Sequence, residues 1–301
     1  MQHTRAPSLP SLRRRILVAR AMALALPLLG AHAHAADKIP VVVSFSILGD
    51  LVRVLGGERV TVTALVGTDQ DAHVFEPKPS DARGLLGAKL FVVNGLGFEP
   101  WADMLAASAG YQGTVVVASA GVRARPADPH AWQDPSNVVL YVRNIAAALS
   151  RLDPGGAATY HTNTAAYEKE LQALDAWVAQ QFARIPPAQR KVVTSHDAFA
   201  YFAARYNIQF LAAQGINTHA EPSAKQVAQL IQQIQREKIK AVFVENMGHR
   251  QLIAQIGKDT GATVGASLYS DALSAPDKPG ATYLQMVRHN VTQLAMGMQR
   301  N

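Results

Sequence analysis

The sequence of 301 residues has no cysteine. Disulfides, thiolate nucleophiles and cysteine-ligated zinc sites are therefore excluded, as is any lipid anchor that needs a cysteine after a leader. One-sided charge is also lacking once the N-terminus is set aside. The first 35 residues hold five of the 29 Lys and Arg and none of the 22 Asp and Glu, leaving 24 basic residues against 22 acidic. Beyond them no stripe of Lys and Arg with interleaved aromatics exists, which argues against nucleic acid as a partner. No run of 18 apolar residues occurs there either, so no membrane-spanning helix is expected.

What is present begins with "MQHTRAPSLPSLRRRILVARAMALALPLLGAHAHA". Arg5, Arg13, Arg14, Arg15 and Arg20 form a basic start, Ala21 to Leu29 an apolar stretch too short to span a bilayer, and Ala33-His34-Ala35 a small-x-small cleavage site. Residues 1–35 are thus expected to be a signal peptide, with the mature chain starting at Ala36 and exported as a soluble protein to a Gram-negative periplasm. The three adjacent arginines raise twin-arginine export, but their flanks fit the general secretory route better. His32 and His34 fall at the cleavage site and are set aside. The remaining 266 residues are enough for two domains.

Short β-branched runs alternate with amphipathic stretches, the pattern of a parallel α/β sheet. Strands are predicted near Val41–Phe45, Val60–Leu65, Leu90–Asn94 and Thr114–Val117, and again near Val192–Thr194, Gln209–Ala212, Ala241–Glu245 and Thr263–Ala266. Four strands in each half predict two similar domains, residues 36–155 and 188–301. Between them, residues 156–187 carry a helical pattern from Ala157 to Ala183 in which Tyr167, Leu171, Leu174, Trp177 and Val178 recur at three- and four-residue steps. A helix of that length, about 40 Å, runs along both domains and makes local rearrangement easier than wide hinge closure.

In open parallel sheets ligands collect beyond the carboxyl ends of strands. Four polar residues follow predicted strands closely: His73, His130, His196 and Asp271, two from each half. In "ADPHAWQDPSN" Pro129 stiffens the segment that presents His130. Three imidazoles and one carboxylate make a complete tetrahedral set for a divalent ion such as Zn²⁺, and a cleft between the domains could unite them. Mn²⁺ and Fe²⁺ could use the same atoms, although imidazole-rich sites favour zinc and manganese prefers more oxygen.

The segments "DAHVFEPKPSD", "DPHAW", "TSHDAFAYF" and "LYSDALS", in this order after a signal peptide, closely resemble the metal-binding solute-binding proteins of zinc and manganese ABC transporters. "NGLGFEPW", "EPSAKQV" and "VFVEN" extend the likeness over the mature chain. The resemblance implies two pseudo-symmetric α/β domains, each a four-stranded parallel sheet, joined by one backbone helix with a metal site in the cleft. It also implies delivery of the ion to a membrane permease powered by a cytoplasmic ATPase, and no enzymatic activity. Its ligand positions fall on His73, His130, His196 and Asp271. Histidine at the third position is typical of zinc carriers; the segment 121–128 is short and lacks the histidine-rich loop that many of them have.

Asp128, Trp132, Asp134, Asp197 and Glu245 are expected around the ligands, because ligating imidazoles usually donate their other N–H to a carboxylate or carbonyl. His161, His249 and His289 read as structural or surface residues, and the sequence leaves His219 open between that reading and a place at the rim of the site or behind its ligands. A secreted zinc hydrolase is the rival reading, since three protein ligands plus water define a catalytic site. A fourth protein ligand closes that position, and no HExxH or G-x-S-x-G is present. "NGLG" at 94–97 carries only a fragment of a nucleotide-binding glycine fingerprint and reads as a tight turn. A monomer is expected, since a carrier must present both lobes to its permease.

Overall fold

The computed structural model describes residues 1–3 and 38–301; the apolar part of the leader, its cleavage site and Ala36 lie outside the described residues. Strands β1 (Ile39–Phe45), β2 (Val60–Val66), β3 (Leu90–Val93) and β4 (Thr114–Val117) form one parallel sheet in the order β2-β1-β3-β4. Strands β5 (Lys191–Thr194), β6 (Gln209–Ala212), β7 (Ala241–Val242) and β8 (Thr263–Val264) repeat that order as β6-β5-β7-β8. The central strand β3 is buried on both faces, which is why Leu90-Phe91-Val92-Val93 is apolar throughout rather than alternating.

The helices are α1 (Ser46–Gly56), α2 (Pro79–Leu86), α3 (Ala102–Ser108), α4 (Pro135–Leu152), α5 (Ala157–Ala183), α6 (Ala200–Tyr206), α7 (Ala224–Glu237), α8 (Arg250–Thr260) and α9 (Tyr283–Met298). Their starts follow local chemistry. Asp134 caps α4 through the Ser136 N–H ahead of Pro135, and Ser223 forms a capping box with Gln226 at the start of α7. Among the described residues no helix is long and apolar enough to cross a membrane.

Strands β7 and β8 are shorter than the apolar runs predict. Val242 pairs with Val264 and Glu245 bridges to Leu268, so three steps on one strand face four on the other. The extra residue interrupts the ladder as a bulge does. Composition alone does not reveal this.

Helix α5 buries Tyr160, Thr164, Tyr167, Leu171, Leu174, Val178 and Phe182 along one stripe. It packs on α1 and α4 of the first lobe and on α6 and α9 of the second. Leu174 is fully buried in that seam, so Leu174→Ala is expected to lower stability by about 2–5 kcal/mol, read from urea unfolding of the mature chain.

The lobes meet through packed side chains. Phe45, Phe98 and Trp132 form a triad with ring centroids 4.7–4.9 Å apart. Trp132 Nε1 and Gln133 Nε2 both donate to Ser270 O, at 2.9 and 2.8 Å, and Tyr283 Oη donates to Trp132 O at 2.8 Å. Leu273 N–H donates to Ser46 Oγ, and Tyr283 N–H to Asp50. The triad belongs to the first lobe, and wide separation of the lobes would strand the bonds that tie Trp132, Gln133, Ser46 and Asp50 to the second. Loop movement costs far less.

Candidate metal centre

Each of the four residues singled out from sequence sits in a loop beyond the carboxyl end of a strand: His73 after β2, His130 after β4, His196 after β5 and Asp271 after β8. The structure brings all four together, with one potential ligand atom from each within 4.8 Å of the others. His130, His196 and Asp271 are fully buried, and His73 is 7% exposed.

Backbone and ring are oriented by carboxylates. Asp128 Oδ1 accepts from the His130 backbone N–H at 3.0 Å and lies 2.8 Å from its Nδ1. Glu245 Oε1 accepts from the His196 backbone N–H at 3.0 Å, while Oε2 lies 2.6 Å from Nδ1, off line for a good hydrogen bond. Asp71 Oδ1 accepts from the His73 backbone N–H at 2.8 Å. Carboxylates beside Nδ1 favour the Nδ1–H tautomer, which turns the Nε2 lone pairs of His130 and His196 inward.

Asp271 Oδ2 stands 3.1 Å from His196 Nε2, 3.2 Å from His73 Nε2 and 3.6 Å from His130 Nε2, and the His73 and His130 Nε2 atoms are 3.2 Å apart. A tetrahedron with bonds of about 2.0–2.2 Å has edges of about 3.3–3.6 Å, close to these separations. Lone pairs facing a carboxylate repel unless a cation lies between them. A proton can serve, and so can a metal ion. Asp271 Oδ1 is buried without a hydrogen-bond partner, a further acceptor that a cation would compensate.

The protonation balance reflects the same geometry. Burial alone would lower the His196 and His130 pKa values. The Glu245 and Asp271 carboxylates instead hold His196 well above 6.5, and Asp271 with Asp128 holds His130 above it. Burial would raise Asp271, but the two histidines hold it well below 3.8.

Of the residues expected around the ligands, Glu245 and Asp128 contact histidines. Trp132 packs edge-on against His130 at 5.3 Å and spans the lobes through Ser270. Asp134 caps α4, and Asp197 lines a cavity beside Gln214 in the second lobe. His219 and His161 are exposed, His249 lies 3.3 Å from Glu221, and His289 Nε2 lies 2.9 Å from Ser267 O.

Glu99 was not anticipated. Gly95, Leu96 and Gly97 all have positive φ, and this turn directs the Asn94 and Gly95 N–H groups onto the Glu99 carboxylate at 2.6 and 3.1 Å. The NGLG turn thus wraps an internal acid rather than a phosphate. Burial pushes Glu99 up to about 7 despite these donors and Ser44. Asn94 Nδ2 then donates to Pro129 O at 2.9 Å, supporting the His130 loop from below. The FEP that follows NGLG was the only signal for it.

Comparison with known proteins agrees with this architecture. Residues 41–297 match the family described as ZnuA, zinc-uptake complex component A periplasmic. The chain is 34% identical over 270 residues to the manganese-binding lipoprotein MntA of Halalkalibacterium halodurans, covering 88% of this chain and 90% of that one. It is also 34% identical over 271 residues to the iron-binding protein YfeA of Yersinia pestis, covering 87% of each. Among solved structures, the periplasmic zinc binding protein TroA from Treponema pallidum superposes with a TM-score of 0.83 at 26% identity, covering 87% of this chain and 99% of that one. A Mn-bound periplasmic metal binding protein from Candidatus Liberibacter asiaticus gives 0.78 at 29% identity, covering 87% and 100%.

Proposed function

Because the chain belongs to the ZnuA family of metal-binding ABC transporter substrate-binding proteins, which carry their substrates rather than transform them, we propose that it captures Zn²⁺ in the periplasm and delivers it to a membrane permease with its ATPase. His73, His130, His196 and Asp271 hold the ion. Residues 36–155 and 188–301 form the two lobes, residues 156–187 link them, and the protein acts as a monomer.

The observation that carries this reading is the convergence of three imidazole nitrogens and one carboxylate oxygen, drawn from both lobes, in a buried site. Relatives are named for manganese, iron and zinc. Zinc is assigned here on donor chemistry, since three imidazoles suit Zn²⁺ better than the oxygen-preferring Mn²⁺. Manganese is the second reading, favoured by the name of the MntA relative. The 301 residues contain no cysteine for a lipid anchor, which supports a soluble periplasmic form although MntA is named a lipoprotein.

Binding needs no covalent chemistry. The ion replaces the protons held among the Nε2 atoms and Asp271, and the surrounding aromatic rings keep water out. Metal analysis and competitive Zn²⁺/Mn²⁺ titration of chelator-stripped protein spanning residues 36–301 test the proposal. The expected result is one zinc per chain, retained against excess manganese, with His196→Glu shifting preference toward manganese. Preference of the unaltered chain for manganese would change the cargo, and the lack of any stoichiometric metal would overturn the carrier reading.

A further inference from the structure

We propose that Asp71 and Thr218 form a latch that sets how long the bound metal is held, an inference that rests on the carrier reading above. The sequence contains Asp-x-His twice, at 71–73 and 128–130. In both, one carboxylate oxygen accepts from the backbone N–H of its own histidine, at 2.8 and 3.0 Å. The copies then diverge. Asp128 also meets the ring of His130, whereas Asp71 turns Oδ2 toward the other lobe and accepts from Thr218 Oγ1 at 2.6 Å.

Thr218 lies in the loop after β6, which occupies the same place in the second sheet as β2 does in the first. The bond therefore joins the two equivalent loops across the cleft. Two more bonds hold the same segment: Asp69 N–H donates to Leu273 O at 2.9 Å, and Asn246 Nδ2 donates to Asp69 Oδ1 at 2.8 Å. Leu273 is two residues beyond Asp271. The His73 loop is thus clasped to the loop that carries the carboxylate.

Exposure shows why this clasp bears on release. Of the four ligand residues only His73 has any accessible surface, 7% against none for the others. The ion's shortest way to water passes the one ligand whose loop is latched. Of the three bonds, Asp71–Thr218 is a hydroxyl–carboxylate contact anchored directly to the His73 backbone, so breaking it frees that ligand first. Asp71 and Thr218 touch no metal in this scheme; they are positioning residues.

Release of Zn²⁺ from the loaded protein spanning residues 36–301 into excess chelator, followed by stopped flow, tests the latch. Thr218→Val is expected to speed release about tenfold, in line with loss of one charge-assisted hydrogen bond, by more than any change in the loading rate. Thr218→Ser should restore slow release. In an Asp71→Ala background, which is itself faster, Thr218→Val should add nothing. An unaltered release rate in Thr218→Val, or the same acceleration with Asp71 already removed, would overturn the latch while leaving the carrier reading in place. Failure of the unaltered chain to hold stoichiometric zinc would overturn both.

Discussion

His196→Ala is expected to weaken Zn²⁺ binding by more than about 100-fold, since changing even an outer partner of a metal ligand typically costs about 10–100-fold. His196 is fully buried, its Nε2 lies 3.1 Å from Asp271 and its Nδ1 beside Glu245. The alanine variant loses a donor and leaves Glu245, also fully buried, without its imidazole. An uncompensated buried charge destabilises by roughly 3–5 kcal/mol, so the metal-free variant should also unfold more readily. Glu245→Gln separates the two effects. It keeps the donor set and removes the charge that orients the ring, and its expected loss of affinity is about 10–100-fold. Calorimetric titration of the three proteins checks the order. Unaltered affinity in His196→Ala would remove His196 from the ligand set.

Zinc affinity is also expected to fall steeply as pH is lowered, and the fall should begin above pH 6.5. Metal binds deprotonated imidazole, so every proton held in the metal-free site must leave first. Neighbouring carboxylates hold His130 above 6.5 and His196 well above it. Affinity should therefore drop by up to about two decades per pH unit while both rings release protons on binding. The stability of the metal-free protein should run the other way. A histidine raised in the folded state contributes stability that is fully present below its unfolded pKa of about 6.5 and is lost as pH rises through the folded value.

Glu99 has the same sign, because its neutral form is favoured in the fold. Its contribution is present below the ordinary 4.5 and is lost as pH rises toward about 7, on the order of 3 kcal/mol. Asp271, held well below 3.8, contributes above 3.8 and is lost only in stronger acid. Metal-free protein should thus resist urea better at pH 5 than at pH 8, and metal-loaded protein the reverse. Flat zinc affinity between pH 8 and pH 5.5 would contradict three histidine donors.

Much of the fold was legible because apolar rhythm follows directly from backbone geometry. The stripe on α5 and the β-branched runs of β1 to β6 register as periods of 3.6 and 2, or as continuous burial, before any tertiary contact is known. Strands β7 and β8 were less legible, since the one-residue bulge between Val242 and Leu268 depends on pairing with a distant partner. At the site, His130 was marked by Asp128-Pro129, and His73 by its place after a predicted strand. Neither Glu99 nor Thr218 carried a comparable signal. A buried acid and a loop threonine acquire their roles only from what faces them, 55 residues away for the Ser44–Glu99 bond and 147 for Asp71–Thr218.

By itself the sequence determined two repeats of a parallel α/β pattern, a long helix between them and four metal-capable residues at strand ends. Those properties are local: they depend on side-chain type, spacing and the carboxyl ends of strands. Only the tertiary structure decided that one potential ligand atom from each of the four residues lies within 4.8 Å of the others, that Asp128 and Glu245 stand beside two of the rings, and that the His73 loop is fastened to the opposite lobe. These features depend on contacts between the lobes, such as Trp132 and Gln133 on Ser270 and Tyr283 on Trp132, which fix how the two sets of loops face one another. No spacing along the chain encodes that arrangement, because it is the joint result of side chains that are remote in sequence and close-packed in space.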